Sequence, residues 1–290
     1  MLLAVSDLHV SHATNRAIVE SFRPSAPDDW LLLAGDIAEQ ESDFTWVISM
    51  LSQRFAQVVW TPGNHELWCT PKDQLKLPGV LRYEHLVNIC RQHNVLTPED
   101  EFRHYRTGNG TTVTIAPVFT LYDYSFRNTY DYTAEQAIDR ARRCGVISSD
   151  EFFLKTYPHS NVIDWCRERI QYTEKRLNAI PDGDDIVLIS HFPIIRKPLE
   201  SLRNSEFSIW CGSEKTHQWA SRKGIRIVVY GHLHMPNLEY IHDVAHLEVS
   251  LGYPREWQER HGKGSYLVQL DGLLEHANAY SSSSIFRIRG

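Results

Sequence analysis

Five short runs of Val, Ile and Leu punctuate the chain: LLAVS (2–6), WLLLA (30–34), QVVWT (57–61), DIVLIS (185–190) and IRIVVY (225–230). Unbroken apolar runs of this length, without alternation, read as strands buried on both faces. Between the first three runs the spacing changes. Within 42–55, Phe44, Val47, Ile48, Leu51 and Phe55 recur at helical intervals, which predicts an amphipathic helix. Strand, helix, strand, helix implies an α/β (α+β layered) fold. From about Gly110 the runs become shorter and more polar, as in TTVTIAP, HLEVS and SYLVQL. These predict a second sheet packed on the first, with GNG (108–110) as a hairpin turn. Phe119 to about Ser160 is long for a connection inside a compact domain, and such segments are usually lids or binding elements. It carries Tyr122, Tyr124, Phe126, Tyr130 and Tyr132, and is read as a helical, aromatic cap inserted at about 119–160. The chain is therefore expected to be one domain over 1–280. The tail SSSSIFRIRG (281–290) is expected to be flexible.

Composition narrows the class. A chain of 290 residues, 42% hydrophobic and 23% charged with a net charge of −6, is an ordinary globular protein with a sizeable core. The acidity argues against broad nucleic-acid binding, which shows as a basic excess. The start MLLAVSDLHV places an acid and a histidine directly after its apolar residues, unlike a signal peptide or membrane span. The five cysteines are scattered and contain no C-x-x-C, so we expect reduced thiols in a cytoplasmic protein. Of the fifteen histidines, His12, His85, His93 and His104 lie in polar surroundings and are expected at the surface.

Each apolar run gives way almost at once to acids, histidines or an asparagine. Asp7-Leu8-His9 comes after the first, Gly35-Asp36 after the second and Gly63-Asn64-His65-Glu66 after the third. His191 comes after the fourth and Gly231-His232-Leu233-His234 after the fifth. In α/β sheets the ligand crevice lies beyond the carboxyl ends of the strands. One histidine at a strand end is ordinarily a packing residue. Five strands delivering carboxylates, imidazoles and an amide to one edge are hard to explain without cations. The set contains no thiolate, which suits Mn²⁺, iron or Zn²⁺. Seven ligands exceed what one ion with open positions needs, and fit two ions roughly 3.5–4 Å apart sharing a carboxylate.

The order D-x-H, G-D, G-N-H-E, H, G-H-x-H resembles the calcineurin-like metallophosphoesterase superfamily, from Asp7 to His234. The resemblance implies a β-sandwich flanked by helices, with two divalent or trivalent metal ions. It implies that Asp7, His9 and His234 bind the first metal, that Asp36 bridges, and that Asn64, His191 and His232 bind the second. His65 matches a non-ligand histidine facing the leaving group. The expected chemistry is hydrolysis of a phosphoric ester by water activated between two cations. Asn64 would help neutralise the phosphoryl oxygens, and His65 would donate a proton to the departing oxygen. The plainer alternative for His65 is a residue that positions Asp36 or a solvated loop residue. GDIAEQ lacks the Arg-Gly pair of the protein Ser/Thr phosphatases, and no Tyr follows Asp36 as in purple acid phosphatases. A repair-type nuclease is disfavoured by the acidic charge.

Outside the ligand motifs, PDDWLLLAGDIAE, LYDYSF, EFSIWCG and VSLGYPREW resemble the actinobacterial phosphopantetheinyl hydrolases. That resemblance implies removal of 4′-phosphopantetheine from a holo acyl carrier protein. Tyr124, Arg127, Trp210 and Arg255 are the candidate substrate contacts, with Trp257 a further candidate wall. Tyr124, Trp210 and Trp257 would equally serve as core, and Arg255 as half of a structural ion pair. Arg140, Arg142 and Arg143 could steer an acidic carrier or form the solvated face of a helix. Two other classes stay open: a small-molecule phosphodiesterase or phosphatase, such as one for cyclic nucleotides, and a non-catalytic scaffold of the same fold. The complete ligand set argues against the scaffold.

Overall fold

The computed structural model describes residues 1–222, 224–259 and 266–274; the predicted tail lies outside them. In chain order the elements are β1 (Leu2–Val5), α1 (Ala13–Glu20), β2 (Trp30–Leu33), α2 (Glu41–Ser52), β3 (Gln57–Trp60) and α3 (Val80–Gln92). Then come β4 (Arg103–Arg106), β5 (Thr112–Pro117), α4 (Ala134–Arg143), α5 (Asp150–Phe153) and α6 (Val162–Asn178). The chain continues through β6 (Asp185–Ile189), β7 (Ile225–Tyr230), β8 (Asn237–Ile241), β9 (Val244–Glu248), α7 (Pro254–Glu259) and β10 (Val268–Gln269). All five apolar runs are strands.

Two sheets form, ordered β10-β1-β2-β3 and β4-β5-β6-β7-β9-β8. Leu2, Ala4, Leu32, Ala34 and Val59 pack against Val187, Ile189, Ile227, Val229 and Leu247 in one buried cluster between the sheets. The alternate residues Leu3, Val5, Leu31, Leu33, Leu188 and Val228 belong to the cluster that also holds the helical residues Val19, Phe44, Leu86 and Ile170. Both faces of each central strand are thus buried, which is why these runs are apolar throughout. The helix expected in 42–55 is α2; Phe44, Val47, Ile48 and Leu51 are its buried stripe, and Phe55 is buried just beyond its end.

One sheet assignment is corrected. SYLVQL supplies β10, which pairs antiparallel with β1 through Leu3↔Gln269 and Ala4↔Val268, so it extends the first sheet. Its polarity reflects an edge position, where one flank faces solvent. Conversely the apolar β6 and β7 form the centre of the second sheet. GNG sits in the turn between the antiparallel β4 and β5, as expected.

Residues 119–160 divide into two parts. Phe119, Leu121, Tyr122, Tyr124 and Phe126 are buried in the main core, whereas Tyr130 and Tyr132 are exposed. α4 starts with a capping box between Thr133 and Gln136 and ends on Arg140, Arg142 and Arg143, a charge order that suits the helix dipole. Arg140 donates to both Asp131 oxygens at 3.0 and 2.9 Å. Arg142 and Arg143 face solvent. Of the four histidines expected at the surface, His12 and His104 are exposed, and His85 and His93 are half-buried.

Candidate metal centre at the strand ends

β1, β2 and β3 run parallel, as do β5, β6, β7 and β9. Their carboxyl ends meet where Ser6 and Ser250 form a bridge that ties one sheet to the other. The loops after β1 and β2 are stitched together by Asp7 N–H donating to Gly35 O (2.9 Å) and His9 N–H to Asp36 O (3.1 Å). Five side chains at this edge, Asp7, His9, Asp36, His232 and His234, sit on backbone with φ between 42° and 70°. The left-handed region costs a non-glycine residue roughly 1–2 kcal/mol, and such strain concentrates at functional sites. Gly63 and Gly231 permit the close approach. A Cβ on Gly63 would land on Asp36 Oδ1, and one on Gly231 on Asp7 Oδ2 and Ser6 Oγ.

The ligand atoms form two triads, Asp7–His9–His234 and Asp36–His191–His232. In the first, His234 Nε2 lies 3.0 Å from Asp7 Oδ1 and 3.2 Å from His9 Nε2. In the second, Asn64 Oδ1 is 3.1 Å from His191 Nε2 and 3.2 Å from His232 Nδ1, and Asp36 Oδ2 is 3.4 Å from His191 Nε2. His9, Asp36 and His65 converge as well, so Asp36 stands between the triads.

Partners behind the ligands fix their orientation. His234 Nδ1 meets Glu256 Oε2 at 2.7 Å and His191 Nδ1 meets Ala34 O at 2.9 Å. Each contact is satisfied by an Nδ1–H and leaves Nε2 facing the site, the usual support of a metal-binding imidazole. Asp7 Oδ2 accepts from Ser6 Oγ (2.6 Å), Ser250 Oγ (2.7 Å) and His232 N–H (3.0 Å). Phe207 stacks on His232 and Tyr253 on His9.

The electrostatics demand positive charge at two places. Burial alone would neutralise Asp7 and Asp36, yet His234 and His191 hold both carboxyls below the usual range. Reciprocally, burial opposes charge on His191 and His234, but Asp36 and Asp7 push both up to about 10. Burial and neighbouring imidazoles hold His9 well below its ordinary value and bring His232 down to about 3. Each triad therefore offers one carboxylate, one imidazole held neutral with its lone pair available, and one position where a cation replaces a proton. That donor set, oxygen and nitrogen without sulfur, fits two divalent ions.

His65 is a buried residue, which rules out the solvated-loop alternative. Its Nδ1 meets Glu39 Oε1 at 3.2 Å, its Nε2 is 3.8 Å from Asp36 Oδ2, and Trp68 covers the ring at 3.7 Å. Burial works against the imidazolium, but Asp36 and Glu39 outweigh it and hold the pKa above the ordinary histidine value. Glu66 accepts N–H bonds from Asp36 (3.0 Å), Ile37 (2.8 Å) and Gly63 (3.0 Å), clamping the loops after β2 and β3.

All seven predicted ligands and His65 converge; the substrate candidates do not. Trp210 is 1% exposed, with its Nε1–H donating to Glu151 Oε1 (2.8 Å), and the Tyr124 hydroxyl donates to the same oxygen (2.8 Å). Both rings are core, and a shared, half-buried acceptor takes up their polar ends. Arg127 spends its guanidinium on the carbonyls of Asp131, Tyr124 and Tyr132, bracing its own loop. Trp257 donates to Asn15 Oδ1 at 2.9 Å and so fastens α7 to α1. Arg255 alone of the four contacts presents a mostly exposed guanidinium, 5.9 Å from the Tyr253 ring, but it also lies 3.9 Å from Glu256 Oε1, the ion pair that was the alternative reading. Sequence reasoning passed over Glu39, Glu66, Asp150 and Glu256. The acids in GDIAE and GNHE were a signal within reach; Asp150 and Glu256 had none.

Comparison with known proteins agrees with this geometry. The calcineurin-like phosphoesterase family profile matches residues 1–236. The chain is 43% identical over 259 residues to the [acyl-carrier-protein] phosphodiesterase PptH of Mycobacterium tuberculosis, covering 89% of this chain and 80% of that protein. It superposes on the crystal structure of the phosphopantetheinyl hydrolase PptH from Mycobacterium tuberculosis with a TM-score of 0.89 at 42% identity, covering 92% and 94% of the two chains.

Proposed function

We propose a function from one premise: the chain belongs to the calcineurin-like phosphoesterase family. It is a metal-dependent phosphodiesterase with a dinuclear centre. The convergence of two carboxylate–imidazole triads around Asp36 carries the assignment of residues. Asp7, His9 and His234 would hold one ion and Asn64, His191 and His232 the other, with Asp36 placed to serve both. Manganese, iron or zinc would suit these oxygen and nitrogen donors. Ions bound there supply an activated water and charge neutralisation on the phosphoryl oxygens.

The remaining chemistry belongs to the protein. His65, its Nδ1 held by Glu39, donates a proton to the leaving oxygen. Trp68 on one side of the ring and Glu39 at Nδ1 hold it in line for that transfer. Asn64 aims its carboxamide at the site. The insertion at about 119–160 buttresses Asn64 within a single domain, and Arg255 at the rim meets the anionic substrate. The five free cysteines fit a cytoplasmic enzyme.

The substrate we propose is a holo acyl carrier protein, cleaved between its serine oxygen and phosphorus to give apo protein and 4′-phosphopantetheine. A serine alkoxide is a poor leaving group, which is the case where a proton donor such as His65 contributes most. The likeness to PptH over most of both chains supports this choice. Intact-protein mass spectrometry of a holo carrier protein incubated with Mn²⁺-loaded enzyme tests it. Conversion to the apo mass is expected, and Asp36→Asn should abolish it. An unchanged holo mass, with an activated aryl phosphodiester still hydrolysed, would replace the carrier protein by a small-molecule substrate.

A further inference from the structure

The insertion meets Asn64 through Asp150, whose carboxylate is buried directly against this proposed ligand. The single turn α5 that carries it is tied to the loop after Asn64 by Cys69 N–H donating to Phe153 O (2.8 Å) and by a bridge between Trp68 and Leu154. Asp150 Oδ1 accepts from Asn64 Nδ2 at 2.9 Å and from Trp68 Nε1 at 2.6 Å. Among the described residues no Lys or Arg pairs with it and its Oδ2 meets no donor at close hydrogen-bond geometry, although the Tyr122 hydroxyl and the His65 ring lie near enough to act on it.

Burying a carboxylate against so few donors is costly. What the carboxylate achieves is a choice between two orientations. An asparagine side chain has an accepting oxygen and a donating nitrogen of nearly equal shape. Only the oxygen can bind a cation. An ionised carboxylate accepts and never donates, so it admits one orientation: Nδ2 toward Asp150, Oδ1 toward His191 and His232. A hydroxyl or amide in its place would tolerate either.

We infer that Asp150 is a positioning residue that locks the Asn64 carboxamide with its oxygen facing the His191–His232 pair. The same Oδ1 holds the indole of Trp68, whose ring lies on His65. One carboxylate from the insertion thereby sets both a ligand and the wall of the proton donor. The inference rests on the two-metal reading above.

The test measures metal binding rather than turnover. Metal-free protein is titrated calorimetrically with Mn²⁺, and bound metal is counted by mass spectrometry after desalting. Wild type should hold two ions per chain; fewer would defeat the two-metal reading itself, separately from Asp150. Asp150→Ala should keep the first site and weaken the second by about 10–100-fold, the usual effect of losing a partner behind a ligand. Asp150→Asn can still accept from both donors but no longer excludes the reversed amide, so it should weaken the second site less than Asp150→Ala does. Asn64→Asp sets two buried carboxylates face to face. Adding Asp150→Asn to it restores a donor opposite an acceptor in reverse order, and should recover second-site affinity by about tenfold, within the range of coupled neighbours. The inference is overturned if folded Asp150→Ala, with wild-type near-ultraviolet circular dichroism, binds both ions as wild type does. A double variant no better than Asn64→Asp alone overturns it too, and decides the matter if Asp150→Ala does not fold.

Discussion

Glu39 Oε1 lies 3.2 Å from His65 Nδ1, at the opposite end of the ring from the Nε2 that approaches Asp36. Once cations offset the charge of Asp36, Glu39 remains as the group holding the imidazolium in place. On the proposed role of His65 as the acid, kcat/KM should fall as pH rises through its raised pKa. Glu39→Gln removes the stabilising charge, lowers that pKa and should move the alkaline limb toward lower pH. A limb that stays in place would show that Glu39 does not hold the proton on His65. His65→Ala should slow substrates with poor leaving groups most, and equal slowing of an activated aryl diester would argue against proton donation. Residues such as His9 or His234 were legible because each follows an apolar run within a few positions. Glu256 and Asp150 were not. Each reaches its partner through the fold, across 22 and 86 positions respectively, and no local pattern announces such a contact.

Among the strands, β2 shows most plainly how burial shapes sequence. Leu32 points between the sheets and Leu31 and Leu33 point toward the helices, all fully buried. Strands with two buried faces write themselves into the sequence as apolar runs, so their existence and limits could be read directly. β10 could not be placed, because two pairing residues at an edge carry too little pattern to name the neighbouring strand. The aromatic run after Phe119 was legible as an insertion but not as core, since aromatic composition does not tell a buried ring from a channel wall. Leu32→Ala should cost about 2–5 kcal/mol through lost burial and a residual cavity, measured by denaturant unfolding. A loss below about 1 kcal/mol would mean the sheets do not pack at that position.

Across the molecule as a whole, two sheets end at one edge and are joined there through Ser6 and Ser250. β1, β2 and β3 bring Asp7, His9, Asp36 and Asn64; β6 and β7 bring His191, His232 and His234. Neither sheet alone completes a triad, for His234 must meet Asp7 and His9, and Asp36 must meet His191 and His232. The centre is therefore a property of the sandwich. The chain also contains no helix, among its described residues, that is long and apolar enough to cross a membrane. The most direct test of the dinuclear centre is anomalous diffraction from crystals of Mn²⁺-loaded protein, collected above and below the manganese edge. Two peaks are predicted, one among Asp7, His9 and His234 and one among Asn64, His191 and His232, with Asp36 reaching both. A single peak, or peaks away from these side chains in metal-saturated crystals, would contradict a dinuclear centre.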